Sequence, residues 1–81
     1  LKNERDRVAH ELTQMGFSVL PSAANFLLFS GFESEPKLVW QGVLDAGVLI
    51  RDVGIPGFLR VTIGKSAEND QFLAAILPFA P

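Results

Sequence analysis

Arg51 and Arg60 are the side chains in this 81-residue sequence best placed to do chemistry, and the chemistry is anion binding. Each lies in a short apolar run, Val48-Leu49-Ile50-Arg51 and Phe58-Leu59-Arg60-Val61-Thr62-Ile63. Alternate side chains of an extended strand share a face. In the second run Leu59, Val61 and Ile63 form an apolar set, and Phe58, Arg60 and Thr62 point the other way. In the first, Val48 and Ile50 oppose Leu49 and Arg51. If helices cover the purely apolar face, both arginines project from the opposite one. With Arg51 across from Phe58, Arg60 is its diagonal neighbour, roughly 7–8 Å away at the backbone. Two guanidinium groups converging on one dianion offer paired N–H donors matched to phosphate or carboxylate. On geometry alone a second reading stays open: two ordinary surface arginines, with Arg51 paired to Asp52 or another carboxylate.

Other reactive residue types are poorly placed. His10 sits among polar residues of a helix, and no cysteine or second histidine exists to complete a metal site. A Schiff-base lysine needs a desolvated or electropositive pocket. Lys2 and Lys37 lie on solvated helix starts, and Lys65 precedes the cap of another helix. Ser66 would act as a nucleophile only with a nearby base, and its place before a helix makes it read as that cap instead. The stretch Gly54-Ile55-Pro56-Gly57 connects two strands, so it is a turn and not a phosphate cradle leading into a helix.

The elements that must position the arginines follow from periodicity. Val8, Leu12 and Met15 recur at helical spacing, predicting a helix over Lys2–Met15 that Gly16 terminates. Phe17–Leu20 and Asn25–Phe29 read as strands separated by Pro21 and Ser22. Pro36 suits the first position of a second helix, with Ser34 or Glu35 as its cap. Its apolar face is Val39, Trp40, Val43 and Leu44; Gly42 weakens it by about 1 kcal/mol relative to alanine, and Gly47 ends it. Strands over Val48–Arg51 and Phe58–Ile63 follow. A third helix starts at Ser66, buries Phe72, Leu73, Ile76 and Leu77, and stops at Pro78. Trp40 and the phenylalanines at 17, 26, 29 and 72 read as core, and Asn25 as a residue bonding backbone in a turn. The order helix, strand, strand, helix, strand, strand, helix predicts an α+β fold: a small antiparallel or mixed sheet with helices packed on one face.

Composition narrows the function classes. Seven basic against nine acidic residues give a formal charge of −2, with no basic surface for nucleic acid and no polybasic membrane anchor. The uncharged stretch Gly16 to Phe32, which lies within the longest uncharged run, is interrupted by Pro21, Ser22 and Asn25, which excludes a membrane-spanning helix there. No signal peptide is visible. With no cysteine there is no disulfide framework. The hydrophobic share of 48% is high for so small a domain, and the chain opens on Leu1 inside a helical pattern. Both suggest that residues 1–81 are one domain cut from a larger protein whose missing part covers apolar surface.

The motif Gly47-Val48-Leu49-Ile50-Arg51-Asp52, then Phe58-Leu59-Arg60-Val61-Thr62-Ile63-Gly64 and Glu68-Asn69-Asp70, resembles the histidinol-phosphate aminotransferases, a branch of the fold-type-I pyridoxal-phosphate enzymes. Residues 16–29 resemble the entrance to the small C-terminal domain of that family. The resemblance implies that Arg60 binds the substrate's acid group and that Arg51 assists at a phosphate ester. It implies amino transfer between glutamate, which returns as 2-oxoglutarate, and imidazole-acetol phosphate in histidine biosynthesis. Pyridoxal 5'-phosphate would be held by a large domain absent here, so this piece would be inactive alone. A cytoplasmic homodimer is the family expectation for the full-length protein. Two alternatives stand beside it: another fold-type-I enzyme, such as a different aminotransferase or a protein like threonine-phosphate decarboxylase, and a non-catalytic α+β anion-binding or regulatory module.

Overall fold

The first two helices end or begin on residues whose backbone the sequence signals. In the computed structural model, which describes residues 2–20, 24–33, 35–45 and 50–81 (Lys2 and Asp52 by backbone only), helix α1 spans Lys2–Gln14. Gly16, at φ 101°, closes it. The Gly16 N–H donates to the Thr13 carbonyl and the Phe17 N–H to the Leu12 carbonyl, both at 3.0 Å. That pair of bonds is a Schellman motif, and its hydrophobic partners, Leu12 and Phe17, are both buried. Two strands follow, β1 at Ser18–Leu20 and β2 at Phe26–Ser30; the break expected at Pro21 and Ser22 lies outside the described residues.

Helix α2 spans Pro36–Asp45, with the Glu35 carbonyl accepting from the N–H groups of Leu38 and Val39. The other proposed cap, Ser34, and the proposed terminator, Gly47, lie outside the described residues. Val39 and Val43 are fully buried, while Trp40 and Leu44 are only partly so. The cost of Gly42 in this helix has a structural reason: a Cβ there would run into the ring of Phe79. Strand β3, Arg51–Asp52, and strand β4, Leu59–Thr62, complete the sheet; Val48 and Leu49 of the expected third strand lie outside the described residues.

Helix α3 spans Ser66–Ile76 and corrects two expectations. Its N-cap position is Lys65, not Ser66. The Glu68 carboxylate accepts from the Lys65 N–H at 2.9 Å, so the side chain that satisfies the helix start comes from inside the first turn. At the other end the α-helix stops ahead of Pro78, as expected, but a 3-10 turn runs on over Leu77–Phe79, and Leu77 is not on the buried face. This change of pitch turns Leu77 outward, 56% exposed, and carries Phe79 against Gly42 instead.

The sheet has the order β1-β2-β4-β3 with every neighbouring pair antiparallel, so the mixed alternative is excluded for it. This is the expected α+β architecture. Leu27, Phe29, Leu59, Val61 and Ile63 point to the helices and are buried. Phe29 is at the centre, its ring 5.7 Å from Phe17, 5.4 Å from Phe32 and 5.7 Å from Phe72, all edge-on. Edge-on packing suits the quadrupoles of aromatic rings. Phe26 is not part of this core. Alternation along β2 sends it, with Leu28 and Ser30, to the face the helices leave open, where all three are half-buried.

Candidate functional site

The open face of the sheet is where Arg51 and Arg60 meet. Ile50 is buried and Arg51 exposed; Leu59 and Val61 are buried with Arg60 half-buried between them. Both arginines therefore project away from the helices, as their strand parity requires. Their register differs from the expectation. Arg51 lies directly opposite Arg60, and Asp52 opposite Leu59, so Phe58 is not the partner of Arg51. The shift is two residues, which keeps every side chain on its face and brings the arginines closer than diagonal neighbours. The connecting loop explains it. Gly54 and Gly57 adopt φ of 76° and 82°, and the Phe58 N–H donates to the Ile55 carbonyl at 3.0 Å. Pro56 followed by a left-handed glycine is the pattern of a type II turn, and it takes up residues that a tighter hairpin would have put in the ladder.

Different elements hold the two arginines. Arg60 is on β4, hydrogen-bonded to strands on both sides, with Leu28 opposite it on β2. The ring of Phe26 has its centroid 5.3 Å from the guanidinium carbon of Arg60. Among the described side chains, Arg60 Nε is the one buried nitrogen or oxygen without a hydrogen-bond partner. Arg51 is on a two-residue edge strand. The carbonyl of Ile50, one residue earlier, accepts from the Trp40 indole N–H at 2.9 Å, so α2 anchors the start of β3.

Among the described residues every ion pair involves Arg5 or Arg7, and none involves Arg51 or Arg60. The proposed alternative partner, the Asp52 side chain, lies outside the described residues. Like charges directly opposite one another destabilise a sheet. A buried N–H with no acceptor costs about 1–3 kcal/mol more. This arrangement is poor for stability and well suited to an anion with several acceptor oxygens, which would offset the repulsion between the two guanidinium groups.

A second cluster supports the end of β4. The Asn69 side chain is buried and saturated: Oδ1 accepts from the Gly64 N–H at 2.9 Å, and Nδ2 donates to the Gly64 carbonyl at 2.9 Å and to Glu4 Oε1 at 3.0 Å. Glu4 also accepts from Arg7 at 2.8 and 3.2 Å, and Arg7 reaches Asp70 at 2.9 Å. The Arg7 guanidinium, aided by the Asn69 amide, holds the Glu4 carboxyl at a pKa of about 2 against an ordinary 4.5, and the pKa of Arg7 is raised in turn. Nothing in the local sequence pattern marks Glu4, Arg7 or Asn69 as partners. Only the Glu68-Asn69-Asp70 motif pointed here, and its three members respectively cap α3, clamp Gly64 and pair with Arg7.

The weaker candidates stay weak. His10 is exposed, and the described residues hold no cluster of metal-ligating side chains. Lys37 and Lys65 are exposed. Asn25 contributes its carbonyl, which accepts from the Ile63 N–H at 2.8 Å and extends the β2–β4 ladder.

Comparison with known proteins agrees with this fold. The sequence model of the family described as aminotransferase class I and II matches residues 1–76. Histidinol-phosphate aminotransferase of Mycolicibacterium smegmatis is 68% identical over 72 residues, covering 89% of this chain and 19% of that protein. The same enzyme of Nocardia farcinica is 64% identical over 73 residues, 90% of this chain and 19% of its own. The crystal structure of histidinol-phosphate aminotransferase from Clostridium acetobutylicum matches with a TM-score of 0.83 at 29% identity, over 93% of this chain and 25% of that one. The chain thus spans about a fifth of the length of the curated relatives it matches. The resemblance read from the Arg51 and Arg60 motifs is borne out, and the chain belongs to the aminotransferase class I and II family.

Proposed function

We propose that this chain is the small-domain portion of a histidinol-phosphate aminotransferase and that its open sheet face receives the acid group of the substrate. One observation carries the reading: Arg60 and Arg51 stand directly opposite each other, with no ion-pair partner among the described residues. Arg60, central and partly desolvated, is the anchor for the phosphate of histidinol phosphate and for the carboxylate of glutamate. Arg51, at the edge, adds donors for the phosphate, whose charge is larger than that of a carboxylate.

Class I and II aminotransferases work through pyridoxal phosphate in general, which supplies an electron sink at the substrate carbon. The described residues do not fit that cofactor: Lys37 and Lys65 are exposed to solvent, and a lysine that forms a Schiff base needs a desolvated or electropositive pocket. In this reading the cofactor and its lysine belong to a large domain outside the chain, and the catalytic protein is a cytoplasmic homodimer. Among the described residues no helix is long and apolar enough to cross a membrane.

The test is the visible spectrum of the full-length protein reconstituted with pyridoxal phosphate. Conversion of the cofactor band on adding histidinol phosphate is the expected result. A band that ignores histidinol phosphate and responds to another amino donor would move the substrate within the family. Failure to form any band would leave an anion-binding module without catalysis.

A further inference from the structure

Phe26 looks misplaced as a packing residue. Its strand neighbours Leu27 and Phe29 fill the core, while Phe26 stays half-buried on the open face. It lies opposite Thr62 and Arg60 lies opposite Leu28, so the two side chains are diagonal across the inner strand pair. The ring centroid is 5.3 Å from the Arg60 guanidinium carbon, within reach of a cation–π attraction. A carboxylate at this position would also attract Arg60, but it would neutralise the charge and occupy the N–H donors. An aromatic face attracts the cation and leaves the donors free. Arg51, directly opposite, repels Arg60, so an attraction that does not consume donors is needed to keep the guanidinium in place.

We propose that Phe26 is a positioning residue for acid-group recognition, its ring holding Arg60 in the orientation that presents the terminal N–H groups to the substrate anion. The inference rests on Arg60 being the acid-group anchor. A guanidinium already held loses less freedom when the anion arrives, so the contribution of Phe26 falls on binding and not on the chemical step. It acts on both substrates, because both use Arg60.

The experiment uses the full-length enzyme with histidinol phosphate and glutamate as substrates. Phe26→Leu raises KM for both about threefold to thirtyfold, with kcat nearly unchanged, and Phe26→Tyr or Phe26→Trp restores the wild-type value. A second variant separates electrostatics from shape: the pentafluoro analogue of phenylalanine at position 26 keeps the ring's outline and reverses its quadrupole, and KM rises as it does for Phe26→Leu. Arg60→Ala is measured in parallel. If Arg60→Ala raises KM while the fluorinated ring leaves it at the wild-type value, the role given to Phe26 is overturned and Arg60 keeps its own. If Arg60→Ala leaves KM unchanged, the anchor reading fails and this inference falls with it.

Discussion

Strands β4 and β3 each present one arginine to the same face, yet they hold it in opposite ways. β4 lies between β2 and β3, so its backbone is bonded on both sides, and Arg60 has an aromatic ring beside it. β3 is two residues long, at the sheet edge, and its fixed point is the Trp40 bond to Ile50. Short edge segments open at lower free energy than central strands. The difference teaches that the proposed site would combine a firmly held cation with a less firmly held one. In the proposed function Arg60, on the central strand, suits an acid group common to both substrates, and Arg51, exposed at the edge, suits the larger phosphate.

Removing the fixed member has the largest expected effect. Arg60→Ala in the full-length enzyme lowers kcat/KM by about a hundredfold or more for histidinol phosphate and glutamate alike, the scale of losing a hydrogen-bonded charge pair. Steady-state kinetics with each substrate checks it; a loss confined to one substrate would break the assignment of Arg60 to the shared group.

Next in size is the support beneath β4. Asn69→Ala leaves both polar groups of Gly64 without their partner and destabilises the fold by about 1–3 kcal/mol, read as a lower urea midpoint. The comparison sharpens if KM for both substrates also rises.

The support of β3 is smaller and selective. Trp40→Phe removes the indole donor to the Ile50 carbonyl, worth about 1 kcal/mol. The expected outcome is a rise in KM for histidinol phosphate of about fivefold, with glutamate unaffected. An equal effect on both substrates would show that β3 and β4 respond as one unit.

Glu4 gives the smallest effect, visible only in acid. Its folded pKa of about 2 lies below the ordinary 4.5, so its contribution to stability is present above pH 4.5 and is lost as the pH falls towards 2. Carbon NMR of the Glu4 carboxyl should give a midpoint near 2. A midpoint near 4.5 would mean that Arg7 and Asn69 do not hold it.

The parts of this molecule that were legible in sequence are those with local causes. Gly16 after an amphipathic run announces a helix end because few other residues accept its backbone conformation. The alternation of Leu59, Val61 and Ile63 with Arg60 announces a two-faced strand. Register was not legible: a slip of two residues preserves every face, so Arg51 opposite Phe58 and Arg51 opposite Arg60 satisfy the same pattern, and the loop decides between them. Phe26 was misread as core because in Asn25-Phe26-Leu27-Leu28-Phe29 all four positions after Asn25 are apolar, and the run does not reveal which set faces the helices. The bond from Asn69 to Glu4 joins residues at opposite ends of the chain, and no local pattern carries that information.

The measurement that bears most directly on the central claim is the substrate selectivity of Arg51→Ala in the full-length enzyme, set against Arg60→Ala. The account predicts that Arg51→Ala raises KM for histidinol phosphate by about tenfold or more while glutamate changes little, as expected for a charge-assisted bond made to one substrate only. Arg60→Ala, by contrast, affects both. Equal and small effects of Arg51→Ala on the two substrates would contradict the division of roles between the edge arginine and the central one.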